Sequence, residues 1–496
     1  MSDERNERTE QSRRNFLRLS AGAAAGLAAH AEAHGNTQQS SQHTDRKPNF
    51  LILIGEGVRS DEFSYAGNPI IQTPNLDRVA VEGINFKNSF CINALCSPSR
   101  AAILTGLYSH TTGCLDNHNR HIPDNDPIFT DLLHQAGYET ACFGKAHIRE
   151  ALMDHSWDYY FGFDHAATSY YHPRIVEGSA GQYEHPKEYV GYVDDLVTDK
   201  AVNWLSQKRD KPFLCLFMFQ APHGPFLRSR RNLDLYNGVP ISKPSTFDDD
   251  LHGDYYGKPR VFAKAKTRIG TSELGHNDPR SLEEVVKDHY AGVVNNDQNF
   301  HSLLKVLEKQ GQLDDTVVLL TSDHGFFLGE WRLYDKRFMH EPSIRVPLAI
   351  RYPKLIQAGS VVEKMALNLD LAPTILDLAG VETPKQMQGS SLVPFLRGSA
   401  PATWRKDWLY EYYELGPQLI PPNRGIRTDR YKLIHYYVPP EEFELYDLQN
   451  DLGELYNLYG DPRYTGLFKD LMSRLHELRV ETGDWKSSLN PYGLPR

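Results

Sequence analysis

The stretch Cys96-Ser97-Pro98-Ser99-Arg100-Ala101-Ala102-Ile103-Leu104-Thr105-Gly106 joins a sulfur nucleophile, a fixed cation and a helix start. Ser97 can cap a helix, Pro98 suits a first helical position and Gly106 suits a stop. Cys96 then stands at the helix N-terminus, where unpaired backbone N–H groups and the helix dipole favour negative charge. Arg100, one turn on, can reach back toward the same spot with a charge that does not titrate near neutrality. An anion held there would meet backbone donors, a guanidinium and a nucleophile together. A buried cysteine beside an ordinary capped helix is the plain alternative. Yet six fixed residue types at this spacing recur by chance on the order of once in 10⁷–10⁸ windows.

Positioning such a group requires a scaffold. Residues 50–54 and 213–219 are apolar throughout and predict buried parallel strands, as do residues 316–320; residues 140–143 predict a weaker one. Thr73-Pro74 and Asp126-Pro127 open helices that Gly83 and Gly137 close, and residues 194–208 and 281–310 are helical by period. Strands alternating with helices give an α/β sheet covered on both faces. In such sheets the ligand crevice lies beyond the carboxyl ends of the strands. Glu56, Lys145 with His147, His223, and Asp323 with His324 each follow a predicted strand, so they can converge on the edge that receives Cys96. Singly, each has a duller reading as a loop carboxylate, a solvated lysine or a packed histidine. Residues 228–277 turn polar and read as an insertion near the site entrance or as a surface loop. Beyond Gly398, shorter strand-like pieces at 408–412, 431–437 and 443–448 and a helix near 467–482 form a second, smaller α+β unit.

The 496 residues exceed one small core, and 40% hydrophobic with 24% charged residues is an ordinary globular composition. A formal net charge of −10 argues against nucleic-acid binding, which needs clustered cations. Five scattered cysteines make neither a disulfide framework nor a zinc ribbon. At the N-terminus, Ser12-Arg13-Arg14-Asn15-Phe16-Leu17-Arg18 precedes an alanine-rich run ending in Ala31-Glu32-Ala33, which reads as a twin-arginine signal over residues 1–33. Residues 34–47 read as a linker, and no later segment is apolar enough to span a membrane.

The Cys-x-Pro-x-Arg and Leu-Thr-Gly pattern at residues 96–106 resembles the formylglycine motif of the type I sulfatases. The resemblance implies an alkaline-phosphatase-like fold, a mixed sheet sandwiched by helices, with a catalytic domain over 48–398 and a C-terminal subdomain over 399–496. It implies that Cys96 is oxidised by a formylglycine-generating enzyme to an aldehyde, whose hydrate attacks sulfur. Glu56 at the end of the first strand and Asp323-His324 resemble the family's metal segments, so Glu56, Asp323, His324 and residue 96 would hold calcium, or magnesium. Gly57 stands where the family has a second carboxylate or Gln. Gly144-Lys145-Ala146-His147 is similar to Gly-Lys-Trp-His: Lys145 would contact the sulfate and His147 would orient or deprotonate the hydrate. Pro222-His223 resembles the segment whose histidine serves the leaving group. Tyr334-Asp335-Lys336-Arg337 is close to a stretch of carbohydrate sulfatases, with Lys336 binding sulfate and Arg100 supporting the hydrate. Residues 445–448 and 454–458 resemble the family's closing segment. The implied activity is hydrolysis of sulfate esters, with sulfated carbohydrates ahead of small aryl or alkyl sulfates. The implied location is the periplasm or outside the cell, after twin-arginine export. Residues 424–432 with Tyr410, Tyr412 and Tyr413 are candidates for a glycan pocket, or simply edge strands. A phosphonate or phosphate monoester hydrolase, and a degenerate glycan-binding relative motivated by Gly57, are the alternatives.

Overall fold

The computed structural model describes residues 47–148, 157–248, 257–270, 279–414, 416 and 418–484. The signal at 1–33, the linker up to residue 46 and parts of the 228–277 insertion lie outside the described residues.

β1 (Asn49–Gly55) is buried along its whole length. A strand that is apolar at nearly every position needs cover on both faces. The chain continues through α1 (Pro74–Val81), β2 (Ile84–Phe86), α2 (Cys96–Thr105), α3 (Phe129–Gln135), β3 (Glu139–Lys145), β4 (Tyr159–Phe163) and β5 (Arg174–Ser179). It then forms α4 (Val193–Leu205), β6 (Phe213–Met218), α5 (Leu282–Lys309), β7 (Thr316–Ser322), β8 (Leu348–Arg351), β9 (Ser360–Val362) and α6 (Leu371–Leu378). These strands line up in the order β9-β2-β8-β7-β1-β6-β3-β4-β5, with two short strands beyond, in an eleven-stranded sheet among the described residues. The five strands from β7 to β4 are parallel, whereas β8 pairs antiparallel with both β7 and β2, β5 pairs antiparallel with β4, and β9 pairs parallel with β2. The sheet is therefore mixed.

Alternation along β1 assigns its side chains to two cores. Phe50, Ile52 and Ile54 pack with Ile103 of α2, Phe129 of α3 and Ile375 of α6. Leu51 and Leu53 pack on the opposite face with Val197 of α4 and Phe300 of α5. Each fully buried side chain of this size contributes about 1.5–3 kcal/mol over leaving it in water. Register does the rest: Gly55 pairs with Ser322, Ile54 with Met218 and Gly144 with Met218. The carboxyl ends of four parallel strands thus finish in one row. β3, anticipated as a weak four-residue strand, is a seven-residue strand inside this parallel set. α5 opens with Ser281 and Glu284 in a reciprocal capping box, which fixes the start of the helix expected there.

β10 (Asp407–Tyr412), β11 (Asn423–Thr428), β12 (Tyr431–Tyr436) and β13 (Glu442–Asp447) form an antiparallel sheet in chain order. α7 (Thr465–Thr482) covers it through Leu471, Leu475 and Leu478. This corrects the reading of 424–432. β11 is an interior strand, and its Asn423 and Arg427 are buried. Tyr410 and Tyr412 are buried, their hydroxyls donating to Arg337 O at 3.0 Å and Glu414 Oε2 at 3.1 Å. Lys432 is buried between Glu341 and Glu454, at 2.9 and 2.6 Å. The described part of the insertion also packs. Lys258 donates to Glu454 O at 2.6 Å and lies 4.1 Å over the Trp331 ring. All five cysteines are free and buried. No described helix is long and apolar enough to cross a membrane.

Candidate active site

α2 begins at Cys96, with Leu95 at the N-cap. Ser97 is therefore no cap and Pro98 no first helical residue, because each lies further inside the first turn. The Ser97 hydroxyl donates instead to His147 O at 2.7 Å. The first-turn acceptor is Asn117, whose Oδ1 receives Ser97 N at 3.1 Å. Nothing in the sequence pattern marks Asn117. Gly106 ends the helix in a left-handed conformation, as anticipated. Ser99 Oγ donates to Asp323 O and receives Asn368 Nδ2 at 2.8 Å, which ties the helix to the end of β7.

The Cys96 sulfur lies 3.3 Å from Glu56 Oε1, 3.5 Å from His324 Nε2 and 4.0 Å from Lys145 Nζ. Lys145 Nζ and Arg100 Nη2 approach Glu56 Oε2 at 2.7 and 2.8 Å, and Lys336 Nζ is 3.6 Å from Oε1. Arg100 Nε also pairs with Asp323 Oδ2 at 3.0 Å, and Nη1 donates to Lys145 O at 2.5 Å. The Arg100 fork is thus engaged by two carboxylates and a carbonyl rather than turned back on the sulfur, since a planar guanidinium bonds oxygen acceptors more strongly. It holds Glu56 and Asp323 in place from behind.

Lys145 reaches the site because the backbones of β3 and β6 meet closely at Gly144. There φ is +91°, and a Cβ would lie 1.9 Å from Met218 O. His147 follows in a left-handed conformation, φ 52°, with its imidazole buried near the Cys96 sulfur. His223 Nδ1 donates to Gly224 O at 2.8 Å, which turns Nε2 inward, 3.9 Å from Glu56 Oε1. Its side chain is 22% exposed, while those of Glu56, Arg100, Lys145, Asp323 and His324 are at most 1% exposed, so the mouth of the site lies at His223. All nine residues singled out in the sequence come together. Asp335 and Arg337, which flank Lys336, were not singled out. Both hold positive φ, 113° and 89°, and Arg337 is braced by Glu414 at 3.1 Å. Non-glycine residues so strained are kept where the surrounding structure imposes them, commonly at sites of function.

Burial alone would raise the Glu56 carboxyl, but Lys145, the His324 hydrogen bond and Lys336 hold it well below the usual range. Burial and the Glu56 carboxylate raise the Cys96 thiol, yet Lys145, Lys336 and His147 outweigh them and lower it well below an ordinary cysteine. Burial and Glu56 push Asp323 upward. Burial draws His147 down to about 4, leaving a neutral imidazole. The ligand atoms of Glu56, Cys96, Asp323 and His324 all lie within 4.8 Å of one another. Crowded anions of this kind are what a dication stabilises, and two carboxylates with an imidazole suit a divalent metal. With φ +66°, a Cβ at Gly57 would stand 3.2 Å from Phe326 and 3.3 Å from His324 Cε1, so a side chain here would press on both rings. The donor set fits a cation.

The sulfatase family profile matches residues 48–381, and that of the N-sulphoglucosamine sulphohydrolase C-terminal region matches residues 329–481. The N-acetylglucosamine-6-O-sulfatase of Bacteroides thetaiotaomicron is 36% identical over 497 residues, covering 88% of this chain and 87% of that protein. A solved structure described as a complex with its substrate D-glucosamine-2-N,6-O-disulfate superposes with a TM-score of 0.80 at 34% identity, covering 88% of this chain and 99% of the other. A phosphonate monoester hydrolase from Silicibacter pomeroyi shares the fold, with a TM-score of 0.72 at 22% identity over 88% of this chain and 96% of the other. With its cysteine, lysines and carboxylates assembled in one buried site and the family profile spanning most of its length, the chain belongs to the sulfatases, enzymes that hydrolyse sulfuric esters.

Proposed function

We propose that the protein removes sulfate from sulfated carbohydrates, with 6-sulfated glucosamine or N-acetylglucosamine the first class to test. Two relatives described by those sugars support the choice of class. The observation that carries the reading is the pair of ammonium groups, Lys145 and Lys336, set around Glu56 and the Cys96 sulfur at the end of a buried helix. When present, formylglycine at residue 96 supplies an oxygen nucleophile as its hydrate, and calcium (or magnesium) held by Glu56, Asp323, His324 and residue 96 supplies positive charge at the sulfate.

The remaining work falls to side chains. Lys145 and Lys336 neutralise the sulfate oxygens in a pocket from which water is largely excluded, where such charges act strongly. Arg100 keeps both carboxylates ionised and oriented. His147, neutral, takes a proton from the group at residue 96. The His223 Nδ1–H is engaged by Gly224 O, so Nε2 hands a proton to the departing ester oxygen only from the imidazolium, a form that burial and Lys145 disfavour and that a bound sulfate anion would favour. We assign this chemistry to a domain over 48–398, with 399–496 as a C-terminal subdomain. Export through the stretch at 1–33, after conversion of Cys96 by a formylglycine-generating enzyme, would deliver the enzyme to the periplasm or beyond.

Comparing turnover of N-acetylglucosamine 6-sulfate with the matched 6-phosphate tests the reading. Sulfate release at least about a hundredfold faster than phosphate release is expected from a site built around a singly charged ester. Preference for the phosphate would overturn it, as would no turnover of any sugar sulfate by converted, metal-loaded enzyme.

A further inference from the structure

His223 stands on a loop, yet that loop is tied at nearly every residue. Beyond β6, Phe219 N still donates to Ile54 O at 3.1 Å. The next two N–H groups, of Gln220 and Ala221, leave the sheet and donate one to each oxygen of Asp194, at 2.8 and 3.0 Å. Asp194 sits in the first turn of α4 and is 1% exposed. Burying a carboxylate that deeply is unfavourable unless its oxygens are satisfied, and here they are satisfied by this loop. From the other side Tyr170 OH donates to His223 O at 2.6 Å, and Tyr192 OH to Leu227 O at 2.9 Å. The Gln220 amide pairs with both the N–H and the C=O of Thr168, at 2.7 and 3.0 Å.

We infer that Asp194 and Tyr170 are positioning residues for His223, fixing its backbone so that Nε2 stays at the leaving-group side of residue 96. The inference rests on the proposed role of His223 as proton donor. Neither residue contacts the reacting atoms. Asp194 acts through the N–H groups of Ala221 and Gln220, two and three residues before His223, and Tyr170 through the His223 carbonyl itself; a shift of the imidazole by about 1 Å is enough to lose on the order of 10²-fold in rate.

The test compares two substrates in the full-length, metal-loaded enzyme. A sugar 6-sulfate expels an alkoxide that must be protonated, whereas 4-nitrophenyl sulfate expels a phenolate that needs no proton. Asp194→Asn keeps the shape but turns one acceptor into a donor facing an N–H, and Tyr170→Phe removes a single hydroxyl. His223→Ala, the reference, is expected to lose on the order of 10²-fold in kcat on the sugar sulfate and at most a few-fold on the aryl sulfate. Asp194→Asn is expected to lose about tenfold or more, and Tyr170→Phe about threefold or more, with the same bias toward the sugar sulfate. If His223→Ala shows the bias and the two variants lose equally on both substrates, or lose nothing, the inference is overturned and the proton-donor role stands. If His223→Ala itself shows no bias, that role fails and the inference with it. Should Asp194→Asn not be recovered folded, Tyr170→Phe decides by the same comparison.

Discussion

Glu56 is the residue on which the site's charges meet. Arg100, Lys145 and Lys336 all lie within 3.6 Å of its two oxygens, and those oxygens face the Cys96 sulfur and the His324 ring. Removing its charge should therefore damage fold and site together. Glu56→Gln is expected to lower folding stability by roughly 3–5 kcal/mol, because it leaves buried cations without their partner. The same substitution should weaken divalent-metal binding at least about tenfold in equilibrium dialysis. Unchanged melting and metal binding would show that Glu56 is not the hub. Cys96→Ala is expected to behave in the opposite way. Turnover should vanish while unfolding free energy shifts by about 1 kcal/mol from that of the converted protein, since the aldehyde there is small and uncharged. Lys336→Ala should leave the fold intact and lower kcat/KM on the order of 10²-fold, measured on sugar and aryl sulfates alike because both carry the same anion.

At the scale of elements, the close meeting of β3 and β6 decides where Lys145 points. Gly144→Ala would place a Cβ on Met218 O in a backbone region that L-residues avoid, so a loss of at least about 3 kcal/mol is expected by denaturant titration. A variant as stable as the parent would mean that the strand ends move apart freely. The same strand marks how far the sequence could be read. The fully apolar runs of β1, β6 and β7 announced buried parallel strands, and the polar residues just after them announced the site. β3 was underestimated because Thr140, Gly144 and Lys145 dilute its apolar pattern, although register with β6 makes it central. β11 was missed as an interior strand because Asn423, Arg424, Gly425 and Arg427 show no β-type alternation; its side chains are satisfied by distant groups, Arg427 by Glu341 at 3.3 Å. Tyr410 and Tyr412 looked like sugar platforms, but their hydroxyls bond within the protein. Nothing in the local pattern sets Asp194 apart from other first-turn acids. Such roles depend on partners far away in the chain, and no local pattern carries them.

Across the whole molecule, His110, just beyond α2, is bonded to both the C-terminal sheet and its helix. Its Nδ1 pairs with Glu411 of β10 at 2.6 Å, and its Nε2 donates to Thr482 O at the end of α7 at 3.0 Å. Burial pulls the imidazole down, but Glu411 and the Thr482 carbonyl lift it to about 9. Because this exceeds the ordinary histidine value of about 6.5, the folded state holds the proton more tightly, and about 3 kcal/mol of stability follows. That stability is complete below about pH 6.5 and is lost as pH rises through about 9. The melting temperature of the parent should fall across that window relative to His110→Gln, and parallel curves for the two proteins would remove His110 from the account. The central claim, sulfate-ester hydrolysis by a modified residue 96, is tested most directly by the mass of the peptide spanning it, taken from protein co-expressed with a formylglycine-generating enzyme. Conversion of the thiol to an aldehyde lowers that mass by about 18 Da, and the account predicts this shift in proportion to sulfatase activity. Full activity from a peptide that retains the intact thiol would contradict it.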